Sequence, residues 1–268
     1  MKPQPTLRRS LKAHLFFLLA LVLLTVPARL AQAADRELYQ LRIYHLNNKQ
    51  QEDRVDNFLR DTYLPALHKL GIQKVGVFKP IGNDTAADRR IMVLVPFKSY
   101  GQLSTVTDQL EQDKSFERAT QYWTAAYNNP PYARLEVVQI QAMDDKLRLQ
   151  EPPLKGPRAE RVYELRSYES PTEKIHLNKV QMFVQGNEIG LFKRLGFNAV
   201  FYGRVLAGSH MPNLMYLTTF ENQAARDAHW KAFGADPEWK KLSAMPEYQN
   251  NVSKNEQQFL YPATYSDY

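Results

Sequence analysis

Tyr163–Tyr168 reads YELRSY and Tyr39–Tyr44 reads YQLRIY, one Tyr-x-Leu-Arg-x-Tyr pattern written twice, 124 residues apart. Later landmarks recur at nearly the same distance. Leu70-Gly71 returns as Leu195-Gly196, IMVLVPF ending at Phe97 returns as LMYLTTF ending at Phe220, and Asp113-Lys-Ser-Phe116 returns as Asp236-Pro-Glu-Trp239. A steady offset with one-residue drifts marks two diverged copies of a unit of ~100 residues in tandem.

Hydrophobic period reads alike in both copies. The opening pattern has strand composition. Val55, Phe58, Leu59, Tyr63, Leu67 and Leu70 then recur at helical spacing up to Gly71, as Leu177, Val180, Phe183, Val184, Leu191, Phe192 and Leu195 do up to Gly196. Strands are expected at 72–81 and 91–97, a second helical region over 98–125, and a closing strand at 133–143. Copy two places the corresponding pieces at 197–206, 214–220, 221–244 and 256–263. The order is β-α-β-β-α-β, the ferredoxin-like split unit. Residues 144–160, with three prolines and no sustained period, read as a linker between domains at 36–143 and 161–264.

A single unit of this kind covers one sheet face with its helices and leaves the other to a partner. Alternation sets Tyr39, Leu41 and Ile43 against Gln40, Arg42 and Tyr44, and Tyr163, Leu165 and Ser167 against Glu164, Arg166 and Tyr168. The first set suits packing under helices. The second, aromatic and charged, suits a polar-lined space between facing sheets. The expected fold is therefore α+β: two tandem ferredoxin-like repeats packed sheet to sheet, a barrel-like pair within one chain.

Residues 1–33 read as a signal peptide, with a basic start, a 12-residue apolar run from Leu15 to Val26 and an Ala31-Gln32-Ala33 cleavage site. The run is short of the ~20 residues that a membrane-spanning helix needs. Export to a periplasm or the medium is expected, with no stable membrane span after cleavage. Five of the seven formal positive charges lie in this leader, leaving +2, so no nucleic-acid surface is implied. The chain has no cysteine, which excludes thiolate chemistry and Cys-ligated metals.

Copy two resembles the NIPSNAP family in Glu164-Leu165-Arg166-x-Tyr168 and in the stretch MYLTTFENQAARDAHWKAFGADPEW, Met215 to Trp239. Copy one resembles a diverged member, with Gln40 in place of the Glu and Asp113-Lys-Ser-Phe116 in place of Asp-Pro-x-Trp. The resemblance implies the dimeric α/β-barrel superfamily, two units around a central cavity, and a family with no agreed enzymatic activity. Superfamily relatives include cofactor-independent monooxygenases, haem-degrading enzymes and small isomerases. That extension is an analogy of fold.

Chemical motifs are sparse. The six histidines form no His-x-His or His-x3-His pair, so no metal site is read; no nucleophile elbow and no phosphate loop appear, and no cofactor is expected. Arg42, Tyr44, Glu164, Arg166 and Tyr168 are candidates to line the cavity, with His229 beside it if its helix borders the space. Paired arginines suit a carboxylate or another anion. Equally, Arg166 can pair with Glu164 to tie the interface, since a buried charge needs a partner. With Gln40 replacing the Glu, Arg42 is the less neutralised arginine. A small organic or anionic ligand, or an interaction role with candidate self-association, is the first expectation; an oxygenase- or isomerase-like enzyme is the alternative.

Overall fold

The computed structural model describes residues 36–144 and 146–268; the leader assignment lies outside them. The first repeat runs β1 (Leu38–Leu46), α1 (Lys49–Phe58), α2 (Leu64–Lys69), β2 (Gly76–Pro80), β3 (Arg89–Phe97), α3 (Tyr100–Glu111), α4 (Lys114–Arg118) and β4 (Arg134–Ala142). The second runs β5 (Val162–Glu169), α5 (Glu173–Val184), α6 (Glu188–Arg194), β6 (Asn198–Ala207), β7 (Asn213–Phe220), α7 (Gln223–Ala235), α8 (Pro237–Ser243) and β8 (Lys254–Pro262). The expected β-α-β-β-α-β order is present twice.

Local signals recur with it. Asn48 and Thr172 cap α1 and α5, and Ser99 and Asn222 cap α3 and α7, each side chain accepting from an N–H three residues on. Gly71 and Gly196 close the first helical layer at φ of 83° and 77°, a region that disfavours any side chain. Between α1 and α2 the helix widens into a π turn, Leu59–Tyr63, just before Pro65, which has no N–H to give to the regular ladder.

All eight strands pair antiparallel in one closed barrel, β1-β3-β2-β8-β5-β7-β6-β4. Advancing four places converts every strand into its counterpart, so the barrel has approximate two-fold symmetry. Its seams join the repeats: β2 pairs with β8 and β4 with β6. The end of the chain strengthens the first seam, where the Ala263 N–H donates to the Val77 carbonyl and the Val75 N–H donates to the Asp267 carboxylate at 2.7 Å.

The two faces of the opening strands are reversed from the sequence expectation. Tyr39, Leu41, Tyr163 and Leu165 point into the barrel, where they share one core with Phe78, Leu94, Ile140, Phe201 and Leu260. Gln40, Arg42, Tyr44, Glu164, Arg166 and Tyr168 therefore point outward, toward each repeat's own helices. The physical reason is volume. The interior of an eight-stranded barrel is narrow, filled by side chains or holding at most one small ligand, so it takes the more apolar set. The outer face is covered unevenly by helices, and long polar side chains reach water between them. Two further cores lie there, one around Phe58, Tyr63 and Phe97 and one around Phe183, Phe192 and Tyr216. Among the described residues no helix is long and apolar enough to cross a membrane.

Candidate functional site

Along the inner face, β1 presents Tyr39, Leu41, Ile43 and His45, and β5 presents Tyr163, Leu165, Ser167 and Glu169. Each series turns from apolar to polar toward the end of its strand. At the tyrosine end the barrel is plugged: Tyr39 packs against Phe201 at 5.2 Å between ring centroids, and Phe78 against Tyr163 at 4.9 Å. The other end opens into a pocket of about 540 Å³ whose wall comes from both repeats. Its apolar part is Ile43, Met92, Val138, Leu165 and Met215. Met92 and Met215 are symmetry counterparts, paired in register with Ile43 and Ser167.

The rim is polar. Glu136 and Glu256 stand at equivalent points of β4 and β8, opposite Ile43 and Ser167. His45 Nδ1 lies 2.8 Å from Asp88, which fixes the ring; its Nε2, buried and without a hydrogen-bond partner, lies 3.4 Å from Glu136. Across the mouth, His210 Nδ1 lies 3.0 Å from Glu169. Ligand atoms of Glu169, His210 and Glu256 fall within 4.8 Å of one another, a set able to hold a divalent cation. Lys254 already contributes positive charge there, 2.5 Å from Glu256 and 3.8 Å from Glu169. None of these groups was legible as a motif, because they come from separate strands and the β6–β7 turn.

The predicted cavity residues gather instead in two outer-face clusters. Glu164, fully buried, accepts from Arg166 Nε at 2.7 Å, from Arg226 Nε and Nη2 at 2.8 Å each, and from Trp230 Nε1 at 2.7 Å. Burial works to raise its pKa, but these donors, led by Arg226, outweigh it and hold the carboxyl below its usual range. Arg166 also donates to Tyr168 Oη at 3.0 Å and Gln257 Oε1 at 2.8 Å, and lies over Trp230 at 4.0 Å. The pairing reading thus describes Arg166. Beneath it lies a second buried pair, Lys179 and Glu188 at 3.2 Å, where burial pushes the Glu188 carboxyl up against the pull of Lys179.

In the first repeat Arg42 donates to Gln40 Oε1 at 3.2 Å, and Tyr122 donates its hydroxyl proton to Tyr44 Oη at 3.0 Å. Burial pushes the Tyr63 hydroxyl up to about 12, against the pull of Arg42, so it stays protonated at neutral pH. His229 is apart from both clusters' polar centres. Its Nδ1 donates to the Leu195 carbonyl at 2.7 Å and its ring packs on Phe197 and Phe220, tying α7 to the end of α6. None of the six predicted residues lines the mouth pocket.

Residues 163–267 match the NIPSNAP family model, nearly the whole second repeat. The sequence matches no curated protein. Among solved structures, the chain is similar to a candidate monooxygenase from Lactobacillus acidophilus NCFM, at 10% identity over 85% of this chain and 94% of that one, with a TM-score of 0.57. A second candidate monooxygenase, from Fusobacterium nucleatum, aligns at 6% identity over 85% and 92%, with a TM-score of 0.56. An anthrone oxidase-like protein aligns at 10% identity over 87% and 94%, with a TM-score of 0.53. At these identities the likeness is one of fold, a dimeric α/β barrel built here within a single chain.

Proposed function

We propose that the protein binds a small organic molecule at the open end of the barrel, with its apolar part against Met92 and Met215 and its polar part at the rim. The observation that carries this reading is the shared pocket of about 540 Å³, within the range of ordinary ligand sites of roughly 300–1,000 Å³. Methionine suits such a floor because its flexible thioether adapts to irregular shapes. Glu136 and Glu256 face Arg90 on the pocket wall, with Lys254 beside Glu256, so the rim offers both signs of charge to a polar group. The leader pattern supports action outside the cytoplasm, with a mature chain beginning at Ala34.

Native mass spectrometry of the protein purified from its own compartment tests the reading. A bound small molecule is expected in the unaltered protein and in Arg42→Ala, and lost in Met215→Trp, which fills the pocket. A bare mass throughout, or a molecule retained by Met215→Trp, contradicts it.

A second reading, acid–base catalysis on a bound substrate, is favoured by His45. His45 is part of the pocket wall; Asp88 orients its ring and Nε2 lies 3.4 Å from Glu136, a pairing suited to moving a proton. The fold's oxidase- and monooxygenase-like neighbours make anthrone a reasonable first substrate. Oxygen uptake with anthrone that falls at least a hundredfold in His45→Ala supports catalysis. Uptake unchanged by that substitution removes it.

A further inference from the structure

The outer face of the first repeat carries an arginine whose counter-ion is missing, and the second repeat shows what belongs there. Gln40, Arg42 and Tyr44 occupy the positions of Glu164, Arg166 and Tyr168. In the second repeat the carboxylate of Glu164 lies under Arg166, Arg226 and Trp230. In the first, Gln40 supplies a neutral amide at 3.2 Å, and Arg42 Nε is buried with no hydrogen-bond partner. Among the described residues Arg42 makes no ion pair; the rings of Tyr63 and Tyr44 lie 5.6 and 6.0 Å away. Two distant ring faces are weak compensation for a guanidinium withdrawn from water.

The surroundings differ in the same sense. Gln257, in register with Arg166, accepts from its Nη2 at 2.8 Å. The register partner of Arg42 is Val137, which offers no acceptor side chain and is 41% exposed. By the repeat offset, Leu103 and Thr107 of α3 stand where α7 carries Arg226 and Trp230. Around Arg42 the first repeat thus has a guanidinium, an apolar ledge beside it and, among the described residues, no paired carboxylate; its buried Glu52 is taken by Lys79 and Arg89.

We propose that Arg42 is an anion site that takes the carboxylate of a ligand with an apolar body, where the second repeat uses its own Glu164. Guanidinium grips a carboxylate through two parallel N–H bonds, and Val137 gives the hydrocarbon part a surface to cover. The site is on the outer face of the sheet, separate from the mouth pocket, and stands or falls independently of it.

Titration of the mature protein with benzoate at low ionic strength, followed by amide chemical shifts, tests this. Saturable shifts at Arg42 and Val137 are expected, with benzamide, the neutral analogue, at least tenfold weaker. Gln40→Glu, which installs the second repeat's own arrangement and keeps Arg42, is expected to weaken benzoate at least tenfold while the fold persists. Met215→Trp is expected to leave the affinity unchanged. Absence of benzoate binding to the unaltered protein, equal binding of benzamide, or equal binding to Gln40→Glu overturns the proposal. Loss of benzoate in Met215→Trp assigns the anion to the mouth and overturns it too.

Discussion

The two repeats present the same opening strand to their helices and resolve it in opposite ways. In the second, one carboxylate is ringed by two arginines and a tryptophan, so the outer face is a closed, self-satisfied network. In the first, the equivalent arginine has an amide, two tyrosine rings and an exposed valine. At the barrel mouth, by contrast, the repeats contribute matched groups: Met92 with Met215, Glu136 with Glu256. Duplication therefore gives this protein two kinds of place, one where the copies share a wall, matching at the methionines and glutamates while differing at Ile43 and Ser167 and at His45 and Glu169, and one where each copy stands alone.

The sharpest way to break the shared-wall half of this comparison is to separate the copies. Residues 36–143 and 161–268 expressed alone are each expected to lose the monomeric fold, by aggregating or by dimerising, because the β2–β8 and β4–β6 seams and the inner core go unpaired. Two soluble, folded monomers by analytical ultracentrifugation and circular dichroism would refute the single barrel.

The closed and open outer faces are contrasted next by substitution. Glu164→Ala leaves two arginines facing a vacated buried site and is expected to cost about 3–5 kcal/mol in urea unfolding. Gln40→Ala removes one hydrogen bond and is expected to cost about 1 kcal/mol. Equal costs would erase the distinction between the faces.

Acid sharpens the same contrast with a smaller effect. Because the Glu164 carboxyl is held below the ordinary glutamate value of 4.5, its contribution is fully present above that pH and is lost as pH falls through the depressed folded value. Unfolding midpoints in urea are therefore expected to drop more steeply below pH 4.5 in the unaltered protein than in Glu164→Gln. Parallel acid profiles would count against a charged Glu164.

The duplicated Tyr-x-Leu-Arg-x-Tyr, the caps and the paired glycines made the order of elements legible, since each is a local signal with a local cause. Which sheet face was the inside was not legible. Alternation separates Leu41 from Arg42 but carries no information on whether the helices or the opposing sheet will cover either one. The clue lay further along the strand: the inner series ends in His45 and Glu169, apolar to polar, as a barrel mouth requires. The rim itself escaped because Glu136, His210 and Glu256 meet through strand register and a turn, not through spacing. Arg42 as the less neutralised arginine was legible from one substitution, Gln40 for Glu, although its location outside the barrel was not.

The central claim is that one pocket is shared by both repeats, and methyl NMR of the methionines tests it most directly. With the molecule recovered by native mass spectrometry added back, the Met92 and Met215 methyl signals are expected to shift together, with one midpoint, while Met182 in the outer core of the second repeat stays still. Shifts confined to one of the pair, or appearing at Met182, would contradict a shared barrel mouth and return the search to the separate outer faces.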